Sequence, residues 1–128
     1  MPVRDAISTA GAPAAIGPYS QAIRDGDVRY CSGASPLDPA TGELIDGDAA
    51  AQATRCLKSL DAIASAAGGR LIDAVRCTVY LTDLGEFAAV NAAYAEHFLE
   101  PAPARVTVQV AALPKGAQVE IDAIIALG

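Results

Sequence analysis

Arg105 follows Pro101-Ala102-Pro103-Ala104, a run that delivers its guanidinium at the start of an extended segment. A guanidinium fork donates two parallel hydrogen bonds to a carboxylate, so Arg105 is a candidate clamp for a small acid. The competing reading is a surface Arg or a structural ion pair. Glu120 stands two residues before Asp122 in an alternating run. A carboxylate there either holds and deprotonates a water or is a solvated strand charge. Asn91 falls four residues after Phe87 and interrupts an apolar stripe. A buried amide needs partners, because an unpaired one costs about 1–3 kcal/mol. Asn91 would therefore tie down a neighbouring loop or touch a ligand. Gly17-Pro18-Tyr19 and Ser32-Gly33 complete the set. Glycine at such places lets a backbone N–H approach a small anion; otherwise both are ordinary turns.

Other chemistries are poorly supplied. His97 is the one histidine, which removes multi-His metal sites, and its place near a helix end suits a C-terminal capping role. The three cysteines, Cys31, Cys56 and Cys77, form no CxxC pair and read as small core residues in a reduced, cytoplasmic setting. Nine Lys and Arg against fifteen Asp and Glu leave a net charge of −6 with no basic cluster, which argues against nucleic acid as a partner. No apolar run approaches the roughly 18 residues of a membrane span, and the first residues lack a signal-peptide pattern.

The elements that must position these residues follow from periodicity. Ala49, Ala53, Cys56, Leu57, Leu60, Ile63, Ala64 and Ala67 recur at helical spacing, with Asp46 or Asp48 as cap and Gly68-Gly69 as terminator. A second helix is predicted from about Leu84 to Leu99, with Asp83 as cap, Glu86 at capping-box spacing and a stripe of Phe87, Val90, Tyr94 and Phe98. Strands are predicted at Val28–Ser32, Ala74–Thr82, Arg105–Ala111 and Val119–Leu127, with weaker ones near Val3–Ser8 and Ser20–Arg24. Asp38 to Gly42 reads as a turn. No repeat or linker appears, which predicts one domain over residues 1–128. Val75, Cys77, Val79 and Leu81 are expected under the helices. Arg76, Thr78, Tyr80, Arg105, Thr107, Gln109 and Glu120 are expected on the other sheet face, which is either solvated or buried against another subunit.

Several blocks together carry a resemblance. Ala14-Ala15-Ile16-Gly17-Pro18-Tyr19-Ser20-Gln21-Ala22, then Ser32-Gly33 with Pro36 to Glu43, resemble the RidA family, also called YjgF or endoribonuclease L-PSP. Val90 to Tyr94, Pro103-Ala104-Arg105, Ala111 to Ala117 and Val119 to Ala123 continue it in register over nearly the whole chain. The resemblance implies an α+β, chorismate-mutase-like fold: a mixed, mostly antiparallel sheet with two helices on one face, assembled as a homotrimer with clefts between subunits. It implies hydrolysis of reactive 2-imino acids (2-iminopropanoate, 2-iminobutanoate) to 2-oxo acids and ammonia, with no metal or organic cofactor. Carried over by position, Arg105 would grip the substrate carboxylate and Glu120 would activate water. Tyr19, Ser32, Gly33, Asn91 and Thr107 would line or support the cleft. Ala34 and Thr107 depart from the pattern, where the family often has Gln and Cys. Two rival readings remain: a non-catalytic small-carboxylate-binding or interaction module, and the RNA-directed role in one family name, which the acidic balance opposes.

Overall fold

The first helix obeys its sequence closely. α1 (Ala49–Ala66) buries Ala49, Ala53, Cys56, Leu57, Leu60, Ile63 and Ala64, and the Asp48 carboxylate accepts the Ala51 N–H at 2.9 Å. Gly68, at φ 88°, takes the left-handed conformation that turns the chain out of the helix. The computed structural model describes residues 4–127, so Val3, expected at the start of the first strand, lies outside the described residues. No helix among them is long and apolar enough to cross a membrane.

Six strands form one sheet: β1 (Arg4–Ile7), β2 (Ala22–Asp25), β3 (Val28–Ala34), β4 (Ala74–Leu81), β5 (Ala104–Gln109) and β6 (Val119–Ala126). Their order is β1-β2-β3-β6-β4-β5, antiparallel throughout except for the parallel β4–β5 pair. α1 packs on β3 and β6, and α2 (Phe87–Ala95) packs on α1, so both helices serve one face. This is the mixed α+β sheet expected. Leu57, Leu60, Val79, Leu81, Val119, Ile121 and Ile125 are almost wholly buried between them. Cutting one such leucine to alanine would cost about 2–5 kcal/mol. Cys56 and Cys77 belong to this core, and burial pushes the half-buried Cys31 thiol up to about 12, so all three are packing residues as expected.

Three expectations need correction. Val75 is exposed, not inward: it is an extra residue between the Ala74–Ile125 and Arg76–Ile124 pairs, a bulge that restores inward alternation only from Cys77. α2 starts after a short 3-10 turn, Leu84–Glu86, capped by the Asp83 carboxylate, and it stops at Ala95. There the His97 ring pairs with the Ala93 carbonyl at 3.0 Å, and Phe98 folds back on Tyr94 with ring centroids 4.5 Å apart. The face of β5 is also reversed. Arg105, Thr107 and Gln109 pair with Cys77, Val79 and Leu81, whose side chains lie under the helices. Because paired residues share a face, these three sit on the helix side, while Val106 and Val108 join Thr78 and Tyr80 on the open face.

Candidate functional site

Glu120 owes its setting to a bulge in β3. Ser32 and Gly33 lie between the Cys31–Ala123 and Ala34–Ile121 pairs, two residues opposite one. The glycine matters here because a Cβ at position 33 would overlap the Glu120 carboxyl. That carboxyl takes a long hydrogen bond of 3.4 Å from the Ser35 hydroxyl. Its partial burial lifts it above the ordinary carboxylate range; the Ser35 bond opposes the shift and the Asp122 charge adds to it. Among the described residues no cation forms a salt bridge with Glu120. It opens into a cleft of about 620 Å³ that also takes in Tyr19, Ser32, Gly33, Ser35 and Lys115.

The loop over this cleft is tied from within. Gln21, buried, accepts the Thr9 N–H at 2.8 Å and donates to the carbonyls of Thr9 and Pro13 at 3.1 and 2.8 Å. The Ser32 hydroxyl donates to the Ser20 carbonyl at 2.6 Å, so it anchors that loop. Tyr19 leaves its ring half exposed at the cleft wall while its hydroxyl accepts the Ile16 N–H at 3.2 Å. Lys115 stands at φ 60° and donates to the Gly42 carbonyl at 2.7 Å, joining two turns at the far margin.

Arg105 lies elsewhere, at the start of the edge strand β5. Its Nη1 donates to the Asn91 side-chain oxygen at 2.7 Å, and its guanidinium carbon stands 4.9 Å from the Tyr94 ring centre and 5.6 Å from that of Phe87. Such cation–π contacts orient a guanidinium without neutralising it. Among the described residues no carboxylate lies within salt-bridge distance, so the structural ion-pair reading is set aside. Tyr94 is 5% exposed and its buried hydroxyl faces the Cys77 thiol. A smaller cleft of about 390 Å³ collects Asn91, Tyr94, Phe98, Pro103 and Arg105. Thr107, half-buried beside Val79 on β5, borders neither cleft.

Within one chain, then, the candidate residues fall into two groups. Glu120 pairs with Tyr80 and Tyr80 with Val108, while Arg105 pairs with Cys77. Arg105 and Glu120 are therefore two strands and three residues apart, roughly 14 Å at ordinary sheet spacings, and on opposite faces. Sequence reasoning missed the cradle of Phe87 and Tyr94, since both fit an ordinary core stripe. It also missed the anchoring role of Gln21 and the Ser35 contact, for which the sequence offers no periodic signal. Among the described residues no group of three His, Cys, Asp or Glu is placed to hold a metal ion.

The chain resembles known proteins along nearly all its length. The Endoribonuclease L-PSP family model matches residues 9–127. The RutC family protein y4sK of Sinorhizobium fredii is 56% identical over 121 residues, covering 94% of this chain and 96% of the relative. The 2-iminobutanoate/2-iminopropanoate deaminase of Bos taurus is 48% identical over 126 residues, covering 98% and 92%. The crystal structure of RidA from the Antarctic bacterium Psychrobacter sp. PAMC 21119 superposes with a TM-score of 0.92 at 48% identity, covering 96% of this chain and 99% of that one. Sheet, helices and sequence agree, and the chain belongs to the RidA/YjgF family, the Endoribonuclease L-PSP family of proteins.

Proposed function

We propose that this chain hydrolyses reactive 2-imino acids and their enamine tautomers to 2-oxo acids and ammonia, without a cofactor, in clefts between the copies of a homotrimer. The observation that carries the reading is Arg105: a guanidinium held by Asn91 and two aromatic faces, with no carboxylate of its own chain to satisfy. An Arg so held is prepared for a carboxylate from outside. The name of the Bos taurus relative supports the substrate.

In this mechanism Arg105 grips the carboxylate, with Asn91 fixing the fork and Thr107 flanking it on the same strand. Glu120 takes a proton from water as the oxygen adds to the electrophilic imine carbon, giving a tetrahedral aminol. That proton passes to the nitrogen as the aminol forms; Glu120 then moves the aminol's hydroxyl proton to the nitrogen as the C–N bond breaks, ammonia leaves and the C=O bond forms. A carboxyl held above the ordinary range suits this exchange, since it gives up and takes back a proton more evenly near neutral pH. The Gly33 N–H faces the substrate and Tyr19 walls the pocket.

Separation of Arg105 and Glu120 within a chain supports the assembly, because one copy's Arg can meet another's Glu only across an interface. The open sheet face supports it too: Tyr30, Val106 and Val108 are 50%, 38% and 37% exposed there. The reading takes the chain as a single catalytic domain acting on a small-molecule ligand in the cytoplasm, consistent with three unpaired thiols. Imines generated by an amino-acid oxidase provide the test. The purified protein should speed ammonia release, and Arg105→Ala should abolish the effect with the trimer retained in light scattering. An Arg105→Ala trimer as active as the parent would sink the assignment. A pure binding module would instead hold a 2-oxo acid in calorimetry equally well with Glu120 or Gln and turn over no imine.

A further inference from the structure

The cleft at Glu120 is larger than a three- or four-carbon acid needs. Such an acid displaces only three or four waters, on the order of 100 Å³ at about 30 Å³ each. The cleft measures about 620 Å³. Part of the cleft runs along the β2-facing edge of β3. β2 pairs with β3 only as far as Cys31, and beyond the bond from the Ser32 N–H to the Gln21 carbonyl residues 33–35 have no strand on that side. The space there is lined by Ala12 and Ala14 of the loop over residues 9–19, by Ala34 and Leu37 at and beyond the end of β3, and by Ser59 and Ile63 of α1.

This inner arm belongs entirely to one chain and is apolar in effect. Five of those six side chains are hydrocarbon. The sixth, Ser59, is fully buried and already accepts Arg55 Nη2 at 3.2 Å. Gln21, the nearby amide, spends its oxygen and nitrogen on the backbone of Thr9 and Pro13. Among the described residues Lys115 is the one cation lining the cleft; it donates to the Gly42 carbonyl, and none of the six residues of the arm is charged. A substrate carbon placed at Glu120 must therefore turn its carboxylate outward, toward an Arg105 of another copy. Its substituent is left facing inward along the arm.

We infer that the inner arm is a side-chain subsite and that the favoured substrates are 2-imino acids with aliphatic side chains larger than alanine's. The inference rests on the imine reading for its chemistry and on the arm alone for its selectivity. Burying the added carbons in a mostly hydrocarbon-lined slot is what separates a long from a short substrate.

The test compares imines made from alanine and leucine by an amino-acid oxidase, with calorimetry of pyruvate and 4-methyl-2-oxopentanoate alongside. Wild-type kcat/KM should favour the leucine imine by at least about tenfold, the low end of what one methylene is worth in a fitted pocket. Ala34→Leu, which fills the arm from β3, should bring that ratio to about one. Ala14→Phe fills it from the loop and should do the same should Ala34→Leu fail to fold. Equal kcat/KM for the two imines in the wild type, or an unchanged ratio in a folded filled variant, overturns the subsite. Should no imine be hydrolysed, the imine reading fails instead, and calorimetry decides the arm. Tighter binding of the longer oxo acid, lost on filling, upholds the subsite, and equal binding rejects it.

Discussion

Glu120 keeps its proton to higher pH in the folded chain than in the unfolded one, because burial and the Asp122 charge disfavour its ionised form. Between the ordinary carboxylate value of 4.5 and the raised folded value, the native state binds more protons than the unfolded state. Stability from this group is therefore present below that window and is lost as pH rises through it. Glu120→Gln cannot ionise, so the thermal midpoint of the wild type should fall relative to that variant on raising the pH through the window, then run parallel. A constant difference across the window would remove the shift. For activity the sign is opposite: a general base needs the ionised form, so kcat should rise with pH to a plateau with its midpoint above 4.5. Arg105 and Glu120 could be singled out in the sequence by residue type and by the neighbouring prolines and alternation. The Tyr94–Phe87 cradle could not, because aromatic residues spaced along a helix satisfy core packing equally well and nothing in that spacing reports a guanidinium across the gap.

At the scale of elements, the β3 bulge links fold to chemistry. Opposing two residues to one brings Gly33 against the Glu120 carboxyl, and only hydrogen at Cα leaves room. Gly33→Ala tests this. The contact is with the end of a flexible side chain, which swings away cheaply, so stability should change by no more than about 1 kcal/mol in a melt. The swing would displace the proposed base, and a shift near 1 Å should cost about 10²-fold in kcat. A Gly33→Ala protein with unimpaired kcat would show that Glu120 does not act from this position. α1 was legible because three independent signals coincide: helical spacing, the Asp48 cap and the Gly68 exit. β5 was half legible. Alternation divides Arg105, Thr107 and Gln109 from Val106 and Val108, yet it cannot say which set faces the helices. The parallel pairing with β4 decides that, and it decides against the assumption that valines always seek the helix side. Val75 fails for a related reason: one bulged residue inverts the parity of everything before it.

For the whole molecule, the inverted β5 face changes where a site is possible. Rows across the open face run Glu120–Tyr80–Val108 and Asp122–Thr78–Val106, mixing carboxylates with half-exposed valines. On the covered side Arg105 stands in the row of Ala123 and Cys77, at the very edge of the sheet. In the proposed trimer, the Arg105 edge of each copy would meet the Glu120 cleft of the next. That arrangement has a quantitative signature. Arg105→Ala and Glu120→Gln should each be inactive alone. Dissociated, mixed in equal amounts and reassembled, the two chains fill each cleft independently. A cleft works only when its Arg comes from the Glu120→Gln chain and its Glu from the Arg105→Ala chain. That combination has a chance of one half times one half, so about a quarter of the wild-type activity should return. Were Arg105 and Glu120 of one chain to serve the same cleft, every cleft in every mixture would lack one of them. Activity would then stay at the level of the single variants whatever the ratio of mixing.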